Sequence, residues 1–301
     1  MIDGIINVYK ESGYTSFDVV AKLRGILKQK KIGHTGTLDP MAEGVLIVCL
    51  GKATKLVDIL ITSSKEYSAT MQLGITTDTE DITGEILSEE DIWKDLSDEE
   101  IKFSVESFVG SYEQLPPMYS AIKKDGKKLY EYAREGVEIK RDKRPVEIIS
   151  INDISVDKPY VHFTVKCSKG TYIRSLCRDI GEKLGCGAVM SRLLRNELHG
   201  MKADCAYKLS DIEQLRDEDR LSECIIPMEI LLKDYRRLNI RKAASKLLSN
   251  GNKLLVKSFE ECESLKAYDD EIFRIYENNR LSALYRYRAD EDIFKPYKML
   301  I

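Results

Sequence analysis

Asp39 lies in a loop, GHTGTLDPMAEG, rich in glycine and threonine. A carboxylate on a loop between rigid elements can be aimed. Once ionised, it can attack or stabilise an electron-poor carbon. Asp39-Pro40 is also ordinary turn chemistry, and the loop's composition alone favours the turn. The same holds for His34, since a lone histidine in a glycine-rich loop is more often a local hydrogen-bonding residue. A second segment, SKGTYIRSLCRDIG, places Tyr172 and Arg174 at the start of an expected helix. If a strand at 160–166 lies beside the Asp39 loop, Arg174 could pair with Asp39. Such a pair would keep the carboxylate ionised and oriented; a surface arginine is the alternative. Tyr67 could stack on a planar base and offer a hydroxyl, or be a core residue of a strand.

These residues need elements to hold them. Residues 5–10 predict a short strand. Thr15 and Asp18 have capping-box spacing and open a helix ending near Lys30, with Phe17, Val20, Leu23 and Leu27 on one face. The loop leads into VLIVCL, a wholly apolar run that reads as a buried strand. Tyr67, Ala69, Met71 and Leu73 alternate with polar residues, as in a strand with one buried face. Ser97 and Glu100 form a second capping box, before a helix carrying Ile101, Val105 and Phe108. A short helix at 127–135 and a strand at 146–151 follow. Ile173, Leu176, Ile180 and Leu184 recur at helical spacing, with Gly185 as the stop. Residues 188–199 read as a strand. A polar stretch at 210–222 separates this body from a tail, with a helix near 241–249 and strand-like runs at 253–258, 271–276 and 281–288. The class is α+β, with a mixed or antiparallel sheet. The domains expected are 1–232, with a basic insertion near 110–145, and 233–301, small and mainly β.

Length and composition bound the rest. The 301 residues suit two domains, and the longest apolar run, Val45 to Leu50, is far short of a membrane span. The start, Met1-Ile2-Asp3-Gly4, lacks the charge and apolar stretch of a signal peptide. Seven cysteines without a Cys-x-x-Cys pair suit reduced packing thiols. No metal is expected, and neither a P-loop nor a dinucleotide fingerprint is present. The net charge of −3 is unevenly spread. Acids dominate from Asp78 to Glu100. Lysines and arginines dominate from Lys123 to Arg144, with a smaller cluster at Lys28, Lys30 and Lys31. Solvated loops or an RNA-facing side would each account for this.

Four ordered segments resemble the bacterial tRNA pseudouridine synthase B family: GHTGTLDPMAEGVLIVCLGKATKL, KEY with TTDTEDITGE, LPPMYSAIKKDGKKLYEYAREG, and CSKGTYIRSLCRDIGEKLGCGA. The resemblance runs from about residue 4 to about residue 200. The tail, ending KPYKML, is similar to the family's small PUA-like RNA-binding domain. The activity implied is conversion of uridine 55, in the TΨC arm of elongator tRNAs, to pseudouridine, with the target base flipped from its stack. The resemblance makes Asp39 the catalytic aspartate, Tyr67 the tyrosine that stacks on the base, and Arg174 the arginine that pairs with the aspartate. Tyr172 becomes an active-site tyrosine and Leu193 a leucine packing against the base. His34 takes the place of the flipped nucleotide, and Lys10 and Lys55 are basic positions near the site. Glu11 departs from the family's usual proline. A cytoplasmic monomer without cofactor, membrane contact or obligate protein partner is implied. Two rivals remain at this point: a silent tRNA-binding protein, and a hydrolase built on Asp39.

Overall fold

The computed structural model describes residues 1–61 and 64–301. Along its main sheet the elements are β1 (Gly4–Lys10), α1 (Ser16–Ile26), β2 (Ile32–His34), β3 (Glu43–Leu50), β4 (Lys65–Leu73), α2 (Asp98–Glu106), β5 (Gly110–Gln114), α3 (Leu129–Arg134), β6 (Arg144–Asp157), β7 (Tyr160–Cys167), α4 (Ile173–Leu184), β8 (Ala188–Leu198) and α5 (Leu209–Asp217). The strand order is β1-β3-β8-β4-β7-β6-β5, with β2 on β3 and the short strand Met201–Lys202 on β8. Neighbours are antiparallel except β3 and β8, which run parallel over Leu194–Glu43 and Arg195–Gly44. Gly44 sits at that junction with φ +102; a Cβ there would lie 2.3 Å from the Arg195 carbonyl oxygen. Only glycine allows the two strands this approach.

Helix α1 starts as its sequence demands. Thr15 Oγ1 accepts from the Asp18 amide at 3.0 Å, and the Asp18 carboxylate accepts from the Thr15 amide at 2.9 Å. Its buried residues are Ser16, Val19, Val20, Leu23 and Ile26. Phe17, expected on this face, is 65 % exposed. It follows Ser16 by one residue, about 100° round the helix, so it turns away from the face that Ser16 joins.

The apolar run of β3 follows from burial on both faces. Leu46, Val48 and Leu50 join Ile6 and Val8 beneath α1 and α5. Val45, Ile47 and Cys49 join Ile5 on the other face. The polar stretch at 210–222 is therefore not a separator: it contains most of α5, whose Ile212 and Leu215 pack into the cluster with α1. Helix α4 lays Ile173, Leu176, Cys177 and Ile180 on the β4, β7 and β8 side of the sheet and ends at Gly185, which has φ +75.

The last part of the chain forms a second, five-stranded sheet from β9 (Arg236–Asn239), β10 (Leu254–Leu255), β11 (Ile272–Glu277), β12 (Arg280–Arg288) and β13 (Ile293–Met299), in the order β9-β11-β12-β13-β10. Leu238, Phe259, Phe273, Ile275, Tyr285 and Phe294 make its own core. The helix expected near 241–249 is a 3-10 turn, Lys242–Ala244, running into Ser245–Ser249. The strand expected at 253–258 is only Leu254–Leu255 before another 3-10 turn. Strands β9 and β13 lie outside the runs that sequence predicts. Pro296 argues against the second, but β10 pairs only with Ile293 and Phe294, which leaves Pro296 on an open edge.

This sheet also shares a core with the first. Tyr276, Leu281, Leu284 and Leu300 pack in one cluster with Ile5, Val45, Ile47, Cys49, Leu56 and Leu60. Lys298 bonds Asp58 at 2.6 Å across the same boundary. The tail is therefore not the detachable appendage its sequence suggests. Each large aliphatic side chain uncovered costs about 1.5–3 kcal/mol, against a total stability of roughly 5–15 kcal/mol. A chain ending at Tyr235 is expected to be insoluble, or to melt more than about 10 °C below the parent. A melting curve matching the parent's would refute this account of the boundary.

Candidate active site

The Asp39 loop is held by bonds its own sequence supplies. Ser16, in the first turn of α1, accepts from the Leu38 amide at 2.9 Å, and the Gly13 amide donates to the Pro40 carbonyl at 3.0 Å. Lys10, the last residue of β1, is fully buried. Its Nζ donates to the carbonyls of Glu11 and Pro40, both at 3.1 Å, and of Ala42 at 2.6 Å. Burial pushes its pKa down to about 8, against the pull of the Asp39 and Glu43 carboxylates. Its three donors are spent on backbone, so Lys10 positions the loop.

Arg174 reaches the loop from the first turn of α4. Its Nε is 2.9 Å from Asp39 Oδ2, and its Nη2 donates to Oδ1 at 3.1 Å. Nη1 donates to the Thr79 carbonyl at 2.9 Å and Nη2 also to the Tyr119 carbonyl at 2.8 Å. Asp81 stands 3.7 Å from Nη1. The planar guanidinium is thus fixed by two carbonyls and offers Asp39 a two-point contact. The pair forms by a different route from the one expected. Strand β7 lies between β4 and β6, not beside the loop; α4 carries the arginine back across the sheet.

Asp39 remains about one-third exposed, while Arg174 is 5 % exposed. The carboxylate therefore faces the opening and the guanidinium faces the protein. Burial pushes the Asp39 carboxyl above its ordinary value and Asp81 adds to that; Arg174 and Lys10 hold it down. Its charge also bears on the buried phenol of Tyr67 and on Tyr172, raising both, although burial is the larger cause in each.

Tyr67, Leu193, Leu38, Ala42 and Ile173 belong to one packed cluster, so the loop, β4, β8 and α4 meet there. Tyr172 is the residue before α4, and Gln114 grips it with bonds to its amide (2.8 Å) and carbonyl (3.1 Å). His34 ends β2. Its buried Nδ1 has no hydrogen-bond partner among the described residues. Burial, helped by Arg195, pushes its pKa down. Lys55 is elsewhere: it lies beyond the far end of β3, roughly 20 Å from Gly44 by strand rise. Its Nζ donates to the Met299 carbonyl at 2.6 Å, tying the two sheets together. That contact is what the structure shows of Lys55.

Sequence reading misses the loop TTDTEDITG as a scaffold. Asp81, 5 % exposed, accepts from Thr79 Oγ1 at 2.8 Å and from the Thr83 amide at 2.9 Å. Glu80, with φ +63, accepts from Ser175 at 2.7 Å and pairs with Arg178. Alternating Thr and acidic residues is the available signal. Arg195 is also missed: a fully buried charge two residues after Leu193. Among the described residues no group of three His, Cys, Asp or Glu side chains is placed to hold a metal ion.

Comparison with known proteins shows the family. Residues 24–173 match the model of the TruB family pseudouridylate synthase N-terminal domain, and 174–233 that of the tRNA pseudouridylate synthase B C-terminal domain. The tRNA pseudouridine synthase B of Clostridium tetani is 46 % identical over 300 residues, covering all of both chains. The chain belongs to the TruB family of pseudouridylate synthases. The Alkaliphilus oremlandii relative of the same name is 48 % identical over 253 residues, 84 % of this chain and 83 % of its own. Among solved structures, a Cbf5-Nop10-Gar1 complex aligns with a TM-score of 0.74 at 28 % identity, over 99 % of this chain and 85 % of the matched one. An H/ACA RNP bound to a substrate RNA containing 2′-deoxyuridine aligns with 0.73 at 25 % identity, with the same coverage. As a TruB-family enzyme the protein is an isomerase, and its fold is the family's mixed-sheet synthase fold.

Proposed function

We propose that the enzyme isomerises uridine 55 in the TΨC arm of tRNA, with Asp39 as its catalytic carboxylate. The observation that carries this reading is the two-point contact of Arg174 with Asp39, in the same packed cluster as Tyr67 and Leu193. The reaction breaks the bond between C1′ and N1 and forms one between C1′ and C5. The ionised carboxylate compensates electron deficiency as the glycosidic bond opens. Arg174 keeps it ionised and aimed. The Tyr67 ring stacks on the flipped base, and Leu193 closes the apolar wall that retains the freed uracil. Tyr172 borders the same pocket, and His34 fills the space that the flipped nucleotide leaves.

Residues 1–232 serve as the catalytic domain and 233–301 as a PUA-like RNA-binding domain. The tail's 15 Lys and Arg against 11 Asp and Glu favour a polyanion. The enzyme works as a cytoplasmic monomer without cofactor. No described helix is long and apolar enough to cross a membrane.

Uridine carries a hydrogen at C5 that is lost when the new bond forms there. With tRNA labelled with tritium at C5 of its uridines, one equivalent of tritium per tRNA is expected in water. No release would refute isomerisation.

The basic insertion is proposed to face the RNA. Lys124 and Lys127 are already paired, with Asp142 and Glu135. Lys123, Lys140 and Lys143 are exposed and have no ion-pair partner among the described residues. Reversing these three to Glu should weaken tRNA binding and flatten its salt dependence. The log-log slope should fall by about 0.9 for each duplex phosphate that the protein no longer neutralises. Unchanged affinity and slope would make them merely solvated surface.

A further inference from the structure

Arg195 is the largest fully buried side chain among the described residues. It lies in β8 at the parallel β3–β8 junction of the main sheet, opposite Gly44 of β3 and Tyr67 of β4. Its Nε donates to the Val45 carbonyl at 2.6 Å and its Nη2 to the Gly36 carbonyl at 3.2 Å. These carbonyls are the two ends of the segment that carries Asp39. Its Nη1 is buried and has no hydrogen-bond partner among the described residues. A buried charged donor left unpaired costs free energy, and a stability role alone gives no reason to keep it. Gly36 has φ +94, a conformation that favours glycine, and its carbonyl meets the guanidinium directly.

We propose that Arg195 is a positioning residue for the isomerisation, locking the Asp39 loop to the strand that carries Tyr67. The carboxylate and the phenol come from different parts of the chain, and Arg195 joins the two supports. One fork grips the loop at both ends. Tyr67 is the cross-strand neighbour of Arg195, and the guanidinium charge opposes the effect of burial on the phenol. Lys10 cannot substitute, because its donors grip only the middle of the loop and the adjoining Glu11 carbonyl. The inference rests on the reading of Asp39 and Tyr67 given above.

The test uses the full-length enzyme with Arg195→Met and Arg195→Lys, each alone and combined with Tyr67→Phe. Single-turnover rate and tRNA Kd are measured for every variant that melts cooperatively. Misplacing a reacting group by about 1 Å costs on the order of 100-fold, so Arg195→Met should lose about that factor in rate. The tRNA Kd should stay within about threefold of the parent. Arg195→Lys keeps the charge but only one grip, and should recover about tenfold of the loss. In the Tyr67→Phe background, removing Arg195 should cost at most about tenfold, because the phenol on which the guanidinium charge bears is already absent. Arg195→Met within threefold of the parent rate, or an equal loss in both backgrounds, would overturn the proposal. If Arg195→Met does not fold, Arg195→Lys alone decides: an unchanged rate refutes the role. Failure here leaves Asp39→Asn inactive. If Asp39→Asn is active, the reading of the site itself has failed.

Discussion

Asp39→Asn should lose isomerisation by at least about 10⁴-fold, while tRNA binds within a few-fold of the parent. Asparagine keeps the size of the side chain and the Ala42 amide bond to the residue 39 carbonyl, at 3.1 Å. The loop is otherwise held by Ser16, Lys10 and Arg195, none of which bonds the carboxylate. What is lost is the negative charge facing the opening. Arg174 retains the Thr79 and Tyr119 carbonyls and the neighbouring Asp81, so the pocket should keep its shape. If the aspartate served only the turn, the rate would change little. Single-turnover kinetics on a variant with parental melting separate the two accounts.

Arg174→Met should cost roughly 100- to 1,000-fold in rate, the scale seen when a fixed electrostatic partner is removed. It should also change the pH profile, with a definite sign. Burial raises the Asp39 carboxyl and Arg174 opposes that rise. The acid limb of the parent's rate should therefore lie above the ordinary carboxylate value of about 4. Removing the guanidinium removes a lowering influence, so the limb should move to still higher pH. A limb that stays in place, or moves down, would show that Arg174 does not govern the ionisation of Asp39. The two substitutions together should cost little more than Asp39→Asn alone, because the residues act as one unit.

Local signals carry much of the fold. The Thr15 and Ser97 capping boxes form as written, with both reciprocal bonds. The alternation of Tyr67, Ala69, Met71 and Leu73 becomes the buried face of β4. These features depend on neighbours within a few residues, which a sequence displays. What a sequence hides depends on tertiary partners. The stretch at 210–222 looks like a linker because only a few of its residues are apolar, yet they point at α1. The tail looks detachable because its apolar residues cannot be divided, by type alone, between its own core and the face of β3. Phe17 misleads because its apolar type outweighs its angular position.

The site divides in the same way. Asp39, Tyr67 and Arg174 stand out by type and by resemblance, but their meeting depends on α4 crossing the sheet, which no local pattern encodes. Lys10 and Lys55 both read as basic residues near substrate. The first is buried against loop carbonyls and the second ties the two sheets together, a distinction that only burial reveals. Arg195 escapes notice because a charge inside an apolar strand resembles an exposed position until both faces are known to be covered.

The central claim is position-specific isomerisation of tRNA by this chain, and mapping tests it most directly. An unmodified elongator tRNA transcript is incubated with the enzyme, and pseudouridine is located at single-nucleotide resolution, beside a transcript in which uridine 55 is replaced by cytidine. The account predicts one pseudouridine, at position 55, in the first transcript and none in the second. Pseudouridine at another position, or none in either transcript with an enzyme that binds both, would contradict it.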